Sequence, residues 1–150
     1  MTVSEASCMI CDQITLWKNG QNPYFIHEFD HSIFVVGFHQ FHPGYSLLLL
    51  KDHVRELHEL DAKVQQGLFA ELMVATQAIV DTFHPWKMNH SCYGNLDPHV
   101  HWHIFPRYES DPERHKHPWI HSPEFKRHAI DLPTTKELRQ RIKTSLDKLL

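Results

Sequence analysis

The sequence predicts an α+β fold, a five-stranded antiparallel sheet with helices packed against it, and three observations carry the prediction. Three short segments rich in aromatic, β-branched or leucine residues precede a long stretch with helical spacing. Two more such segments follow it, and a second amphipathic stretch ends the chain. Successive strands joined by short turns favour antiparallel pairing, with the helices laid on the sheet. At 150 residues, with no internal repeat and no long linker, residues 1–150 read as one domain large enough to bury a core without disulfides.

In chain order, Cys8 to Lys18 has too few apolar positions to separate a short helix from a turn, and Asn19-Gly20-Gln21-Asn22-Pro23 ends it. Tyr24–Phe29 and Ile33–Phe38 read as a hairpin about Asp30-His31-Ser32. After the Phe41-His42-Pro43-Gly44 turn, Tyr45–Leu50 is a continuous apolar run that suits a strand buried on both faces. Asp61 is the expected cap of a helix whose stripe is Val64, Leu68, Leu72, Ala75, Ile79 and Phe83, and Pro85 ends it. That stripe reads as core packing. Lys87–Tyr93 and His99–Phe105 form a second hairpin around Gly94-Asn95-Leu96-Asp97-Pro98. The Pro-, His- and charge-rich segment after Arg107 is left irregular until Thr134, which with Glu137 spells a capping box for a helix carrying Leu138, Ile142 and Leu146.

Composition narrows the function. The formal net charge of −3 gives no general reason to bind nucleic acid, and the longest run of large apolar residues, Leu47–Leu50, is far below a membrane span of about 20 residues. Met1–Ser7 lacks the basic and apolar regions of a leader, and three cysteines make no disulfide framework, so a cytoplasmic, reducing location is expected. Fifteen histidines are the unusual feature. His115, His117, His121 and His128 sit among Pro, Lys, Arg and Glu and read as solvated surface residues. Cys92, alone in a strand, reads as an inert buried thiol.

The chemistry concentrates in His99-Val100-His101-Trp102-His103-Ile104-Phe105. On a strand the three imidazoles share one face, and Val100, Trp102 and Ile104 turn to the core on the other. Two of the rings could share a metal, but side chains at i and i+4 start about 13 Å apart, so three on one ion would need a sharp bend. Alternatively, a central imidazole attacks phosphorus while a flanking one donates to the phosphate oxygens. Three satisfied, inert histidines are the plain alternative.

The run fits His-φ-His-φ-His-φ-φ, with φ apolar, at every position, and the protein resembles the histidine-triad (HIT) superfamily of nucleotide hydrolases and transferases. Gly44 with Leu47–Leu50, Lys51 and His53, the Pro106-Arg107 pair, Cys8-x-x-Cys11 and the long helix extend the resemblance over about residues 8–108. The segment from about 134 to 149 then reads as a C-terminal extension carrying a helix. The resemblance implies a HIT-like fold, often a homodimer, and cleavage of a nucleoside phosphate ester, anhydride or phosphoramidate at the α-phosphorus. His101 would be the nucleophile, forming a nucleotidyl-histidine intermediate. His103 would contact the phosphate oxygens, and Asn95 and Asn89 fall near further phosphate contacts. The zinc-bearing branches imply a structural zinc on Cys8, Cys11, His53 and His99, a closed set with no position for water. No organic cofactor, nucleic acid or membrane is implied as a partner; the ligand is a small nucleotide.

Three departures qualify the resemblance. Tyr45 stands where many members have His, Leu96 where Ser or Thr helps protonate the leaving group, and Gly37 where a polar side chain often holds the ribose. The sequence from Asn95 to His99 resembles a bacterial-type branch described as diadenosine-tetraphosphate-hydrolase-like. The departures motivate a second reading, a zinc-stabilised nucleotide-binding or interaction module with little turnover. A catalytic three-histidine metal enzyme is a third.

Overall fold

The sheet order in the computed structural model is β1-β2-β3-β5-β4, antiparallel throughout, with β1 at Phe25–Glu28, β2 at Ser32–Val36, β3 at Ser46–Leu50, β4 at Lys87–Ser91 and β5 at His101–Arg107. The structure describes residues 8–150, so the reading of Met1–Ser7 lies outside the described residues. Helix α1 is Met9–Lys18, α2 Ala62–Phe83 and α3 Leu132–Asp147. Among the described residues no helix is long and apolar enough to cross a membrane.

Strand periodicity sorts the central residues into two cores. Leu48, Leu50, Phe34, Val36, Val100 and Ile104 pack under Leu68, Leu72, Ala75 and Ile79 of α2 and Ile142 and Leu146 of α3. The helical stripe therefore faces the sheet as its spacing requires, each fully buried Leu or Ile contributing roughly 1.5–3 kcal/mol. The opposite face holds a second core of Ile33, Val35, Tyr45, Leu47, Leu49 and Phe105, closed by Ile10 and Ile14 of α1 and by Phe125. The histidine face is thus also a packed face, which the alternation alone did not reveal. β3 is buried on both faces as its composition predicts.

Local chemistry fixes the connections. Glu71, a buried carboxylate on α2, accepts from the His31 backbone N–H at 3.1 Å and from Ser32 Oγ at 2.7 Å, clamping the β1–β2 turn to the helix. Helix α2 ends on His84 in the left-handed conformation before Pro85. Asp61 is its N-cap residue but makes no side-chain cap bond.

Several sequence expectations shift. The α3 cap is Asp131, whose carboxylate accepts the Thr134 N–H at 2.8 Å, rather than Thr134; Asp is the stronger cap, and Pro133 fits the first turn, where no N–H is needed. Strand β4 stops at Ser91 instead of Tyr93, and β5 starts at His101 instead of His99. Pro98 lacks an N–H, and Val100 turns its N–H to Val54 O at 2.8 Å. His99 therefore stands just outside the ladder, beside the end of β3. The segment expected to be irregular contains a 3₁₀ stretch, Pro118–His128, hereafter the strap, which crosses the histidine face. His115 and His117 just before it and His128 at its end are exposed, but His121 within it is half-buried, 5.1 Å from the ring of Phe41.

Candidate active site and metal centre

The N-terminus of α1 brings both cysteines to the end of the sheet. Cys8 is the N-cap, and its Sγ accepts the Cys11 backbone N–H at 3.2 Å, where the helix dipole favours negative charge. His53 follows β3 and His99 precedes β5, so the β3–β5 pairing sets the two rings face to edge at 5.0 Å. Cys11 Sγ lies 3.1 Å from His53 Nδ1 and 3.5 Å from His99 Nδ1, Cys8 Sγ lies 3.5 Å from His99 Nδ1, and the two Nδ1 atoms are 3.1 Å apart. All four candidate ligand atoms fall within 4.8 Å of one another. A tetrahedron with bonds of about 2.0–2.3 Å has edges of about 3.3–3.8 Å, so the donor set fits one small cation.

Bonds outside the cluster orient its ligands. His99 is fully buried, and its Nε2–H donates to Leu50 O at 2.7 Å, turning the Nδ1 lone pair toward the thiols. Burial lowers the pKa of His99, against the bond to Leu50 O, which raises it. The cluster takes only the first histidine of the run, which removes the geometric basis for a three-histidine metal enzyme.

His101 and His103 form a separate pair, with ring centroids 4.9 Å apart. The Nδ1–H of His101 donates to His99 O at 2.6 Å, so in the neutral ring the lone pair is on Nε2. The backbone carbonyl of a cluster residue thus orients the next imidazole. His103 Nδ1 lies 2.7 Å from the hydroxyl of Tyr45. Burial raises the pKa of the Tyr45 hydroxyl, so it keeps its proton and has His103 Nδ1 as an acceptor, placing the imidazole proton of His103 on Nε2. Burial, followed by the neighbouring His101 and His39 rings, pushes the pKa of His103 down to about 3.

The strap roofs this pair. Trp119 stands edge-on to His103 at 4.7 Å and donates its Nε1–H to Ser91 Oγ at 3.0 Å. Phe125 stacks on His39 at 4.2 Å, and Tyr45 lies flat between His39 and Phe105 at 4.7 and 4.4 Å. A Cβ placed at Gly37 would come within 2.2 Å of Tyr45 Cδ2. The Gly37 and Tyr45 departures are therefore one packing event, a ring lying over a residue that has no side chain. Below the strap, the fully buried Arg107 donates to Asp111 Oδ2 at 3.1 Å, Asn89 Oδ1 at 3.0 Å and Lys116 O at 2.6 Å.

Of the two asparagines expected near phosphate, Asn89 has its carbonyl oxygen committed to Arg107, so only its amide nitrogen could reach an anion. Asn95 is exposed in the turn before the run. Leu96 beside it is 90% exposed, an apolar side chain with no proton to give. The sequence marks Tyr45 only as a departure from His and carries no periodicity that points to its bond with His103 or to Trp119 as a site residue.

Three imidazoles near the strap, His42 buried and His39 and His103 half-buried, predict acid sensitivity. Burial holds His39 and His42 down to about 4, His42 also by the Arg107 guanidinium and against Asp111, while His103 sits near 3. The unfolded chain takes up these protons at about 6.5, so between there and about 4 it binds more protons than the folded chain, and stability falls as pH falls. Their ring-proton NMR resonances are expected to hold the neutral-form position down to about pH 5. A titration centred near 6.5 for all three contradicts the assignment.

The HIT domain family model matches residues 19–110. No curated protein sequence matches the chain. Among solved structures, a hypothetical histidine triad nucleotide-binding protein of Sulfolobus tokodaii strain7 superposes with a TM-score of 0.73 at 20% identity, covering 93% of each chain. A Zn-bound histidine triad family protein of Mycobacterium smegmatis gives 0.69 at 18% identity over 97% of each chain. Diadenosine triphosphate hydrolase of Plasmodium falciparum, in complex with Cyclomarin A, gives 0.60 at 16% identity, covering 84% of this chain and 78% of that one. These likenesses establish the shared fold, and the match over most of the chain, which includes the paired imidazoles of β5, makes this protein a member of the HIT domain family.

Proposed function

We propose that the protein is a nucleotide hydrolase or nucleotidyl transferase that cleaves at the α-phosphorus of a nucleoside phosphate conjugate, a dinucleoside polyphosphate or a phosphoramidate. The observation that carries the reading is the 2.6 Å bond from His101 Nδ1–H to His99 O, which selects the neutral tautomer with its lone pair on Nε2. Nε2 attacks phosphorus, the bond from phosphorus to the leaving group breaks, and the leaving group departs with the electron pair and takes a proton from solvent. Water then attacks the nucleotidyl-histidine, its oxygen bonds to phosphorus and it gives up a proton to solvent, the P–N bond breaks, and the electron pair returns to Nε2. His103 Nε2–H donates to the non-bridging oxygens as charge builds on them. Asn95 and the amide nitrogen of Asn89 are the further phosphate donors in this reading.

The Cys8, Cys11, His53 and His99 cluster holds zinc in this proposal. The four donors fill a tetrahedral ion and leave no position for water, so the metal ties α1 to the sheet and polarises no substrate. Two copies pairing through the β4 edge would account for a homodimer, which native mass spectrometry measures directly.

Tyr45 is a positioning residue for His103. Tyr45→Phe is expected to lower kcat about tenfold with KM nearly unchanged, since it frees the His103 tautomer while keeping the ring stack. Equal kcat for the variant removes this role. A nucleotide-binding module with little turnover is the competing reading, favoured by the Trp119 cover over His103 and by Leu96. Rapid-quench incubation with a labelled dinucleoside polyphosphate separates the two: a burst of protein-bound nucleotide that disappears in His101→Asn supports the enzyme, and binding without adduct or turnover supports the module.

A further inference from the structure

His103 turns its Nδ1 to Tyr45, so the atom left to reach a phosphate oxygen is its Nε2–H. Trp119 stands against the same ring, with centroids 4.7 Å apart at the short end of aromatic contact, and no phosphate fits between the two rings. The indole also meets Phe105 at 5.3 Å. One approach to His103 is therefore occupied by a side chain of the strap.

The strap is unevenly fastened. Pro118 and Phe125 are buried, the Gln40 N–H donates to His128 O at 3.0 Å, and His39 bridges to Ala129. Between those points Trp119, Ile120 and His121 are half-buried, and Ser122 and Pro123 are exposed. The stretch is 3₁₀, with poorer hydrogen bonds than an α-helix, and Pro123 inside it has no N–H to give. The indole itself is held by its Nε1–H, which donates to Ser91 Oγ at 3.0 Å. Ser91 lies on the edge strand β4, directly across from His103 in the β4–β5 register. A single bond between neutral side chains is a weak fastening. There is also room to move. A groove of about 570 Å³ between β4 and the strap opens beside both Trp119 and Ser91, and exposed Tyr93, 6.2 Å from the indole, offers it a second aromatic surface.

We propose that Trp119 is a gate over His103 and that its bond to Ser91 is the latch. In the closed form the indole keeps phosphate from the His103 ring. When the latch breaks, the indole swings into the groove while Phe125 stays seated on His39, so the moving part is one side chain and its turn. The inference rests on the nucleotide reading above and adds its regulation. Substrate binds the open form alone, and its apparent affinity is lowered by the fraction of molecules that are open.

The test joins two measurements on the full chain: broadening of the histidine ring-proton NMR resonances by a water-soluble nitroxide, and steady-state cleavage of a dinucleoside polyphosphate. Ser91→Ala removes the acceptor, and Trp119→Phe keeps a ring but removes the N–H. Each is expected to populate the open form about fivefold more, the weight of one neutral hydrogen bond, and so to broaden His103 beyond its wild-type width. His39, under Phe125, and exposed His84 are expected to keep their wild-type widths. KM is expected to fall about fivefold with kcat nearly unchanged. Wild-type broadening of His103 in both variants overturns the proposal, as does a parallel rise at His39, which would mean that the whole strap undocks. If His103 is unmasked in both variants and no form of the protein cleaves the substrate, the gate stands and the nucleotide reading falls. If the wild type cleaves, His101→Asn does not, and His103 stays covered in both latch variants, the gate falls and the reading stands.

Discussion

His101→Asn is expected to reduce turnover of a dinucleoside polyphosphate by roughly four orders of magnitude or more, the scale on which enzymes lose rate when their nucleophile is removed. Asparagine is close in size and can still donate to His99 O, so the backbone contact that orients position 101 survives. It has no ring nitrogen with a lone pair to offer phosphorus. The expected pattern is therefore an unaltered melting curve, retained nucleotide binding and no protein-bound nucleotide after rapid quench. Turnover within a few-fold of wild type would show that neither covalent step runs through His101.

Removal of the metal is the second large effect. A chelator strong enough to strip the proposed zinc, or Cys11→Ser, is expected to lower the melting temperature by about 10–20 °C, corresponding to a loss of several kcal/mol in a chain of this length. Three things fail together when the cluster opens. Helix α1 loses its tie to the sheet, Ile10 and Ile14 lose their seat in the second core, and the His99 carbonyl that orients His101 is released. Activity should therefore decline in step with unfolding, and zinc content measured on His101→Asn should remain one per chain. Prompt loss of activity with an unchanged melting curve would mean that the metal takes part in the chemistry.

Much of this architecture was legible because it depends on local periodicity. The alternation in His99–Phe105 placed Val100, Trp102 and Ile104 against the helices, and the stripe of α2 faces the sheet as drawn. The four cluster residues come together because the β3–β5 pairing fixes His53 and His99, while Cys-x-x-Cys on the first turn of α1 fixes the rest. What was not legible depends on contacts between distant segments. Nothing in the Pro-rich stretch after Arg107 shows that Trp119 and Phe125 reach back to His103 and His39. The bond from Tyr45 to His103 spans the β3–β5 pair, and the residue types alone do not disclose it. The shifted start of β5 reflects a competition at Val100, whose N–H is taken by Val54.

The Arg107 staple bears on where this domain ends. The family match stops at residue 110, and the carboxylate that neutralises the buried guanidinium belongs to Asp111, with Lys116 O as a further acceptor. A chain cut at the edge of the match would keep the cation and lose its counter-charge, a loss of about 3–5 kcal/mol for a buried pair. The segment from Asp111 to Lys116 is thus a structural part of the fold and not an appendage, and the smallest autonomous unit of this protein is longer than the segment its family shares.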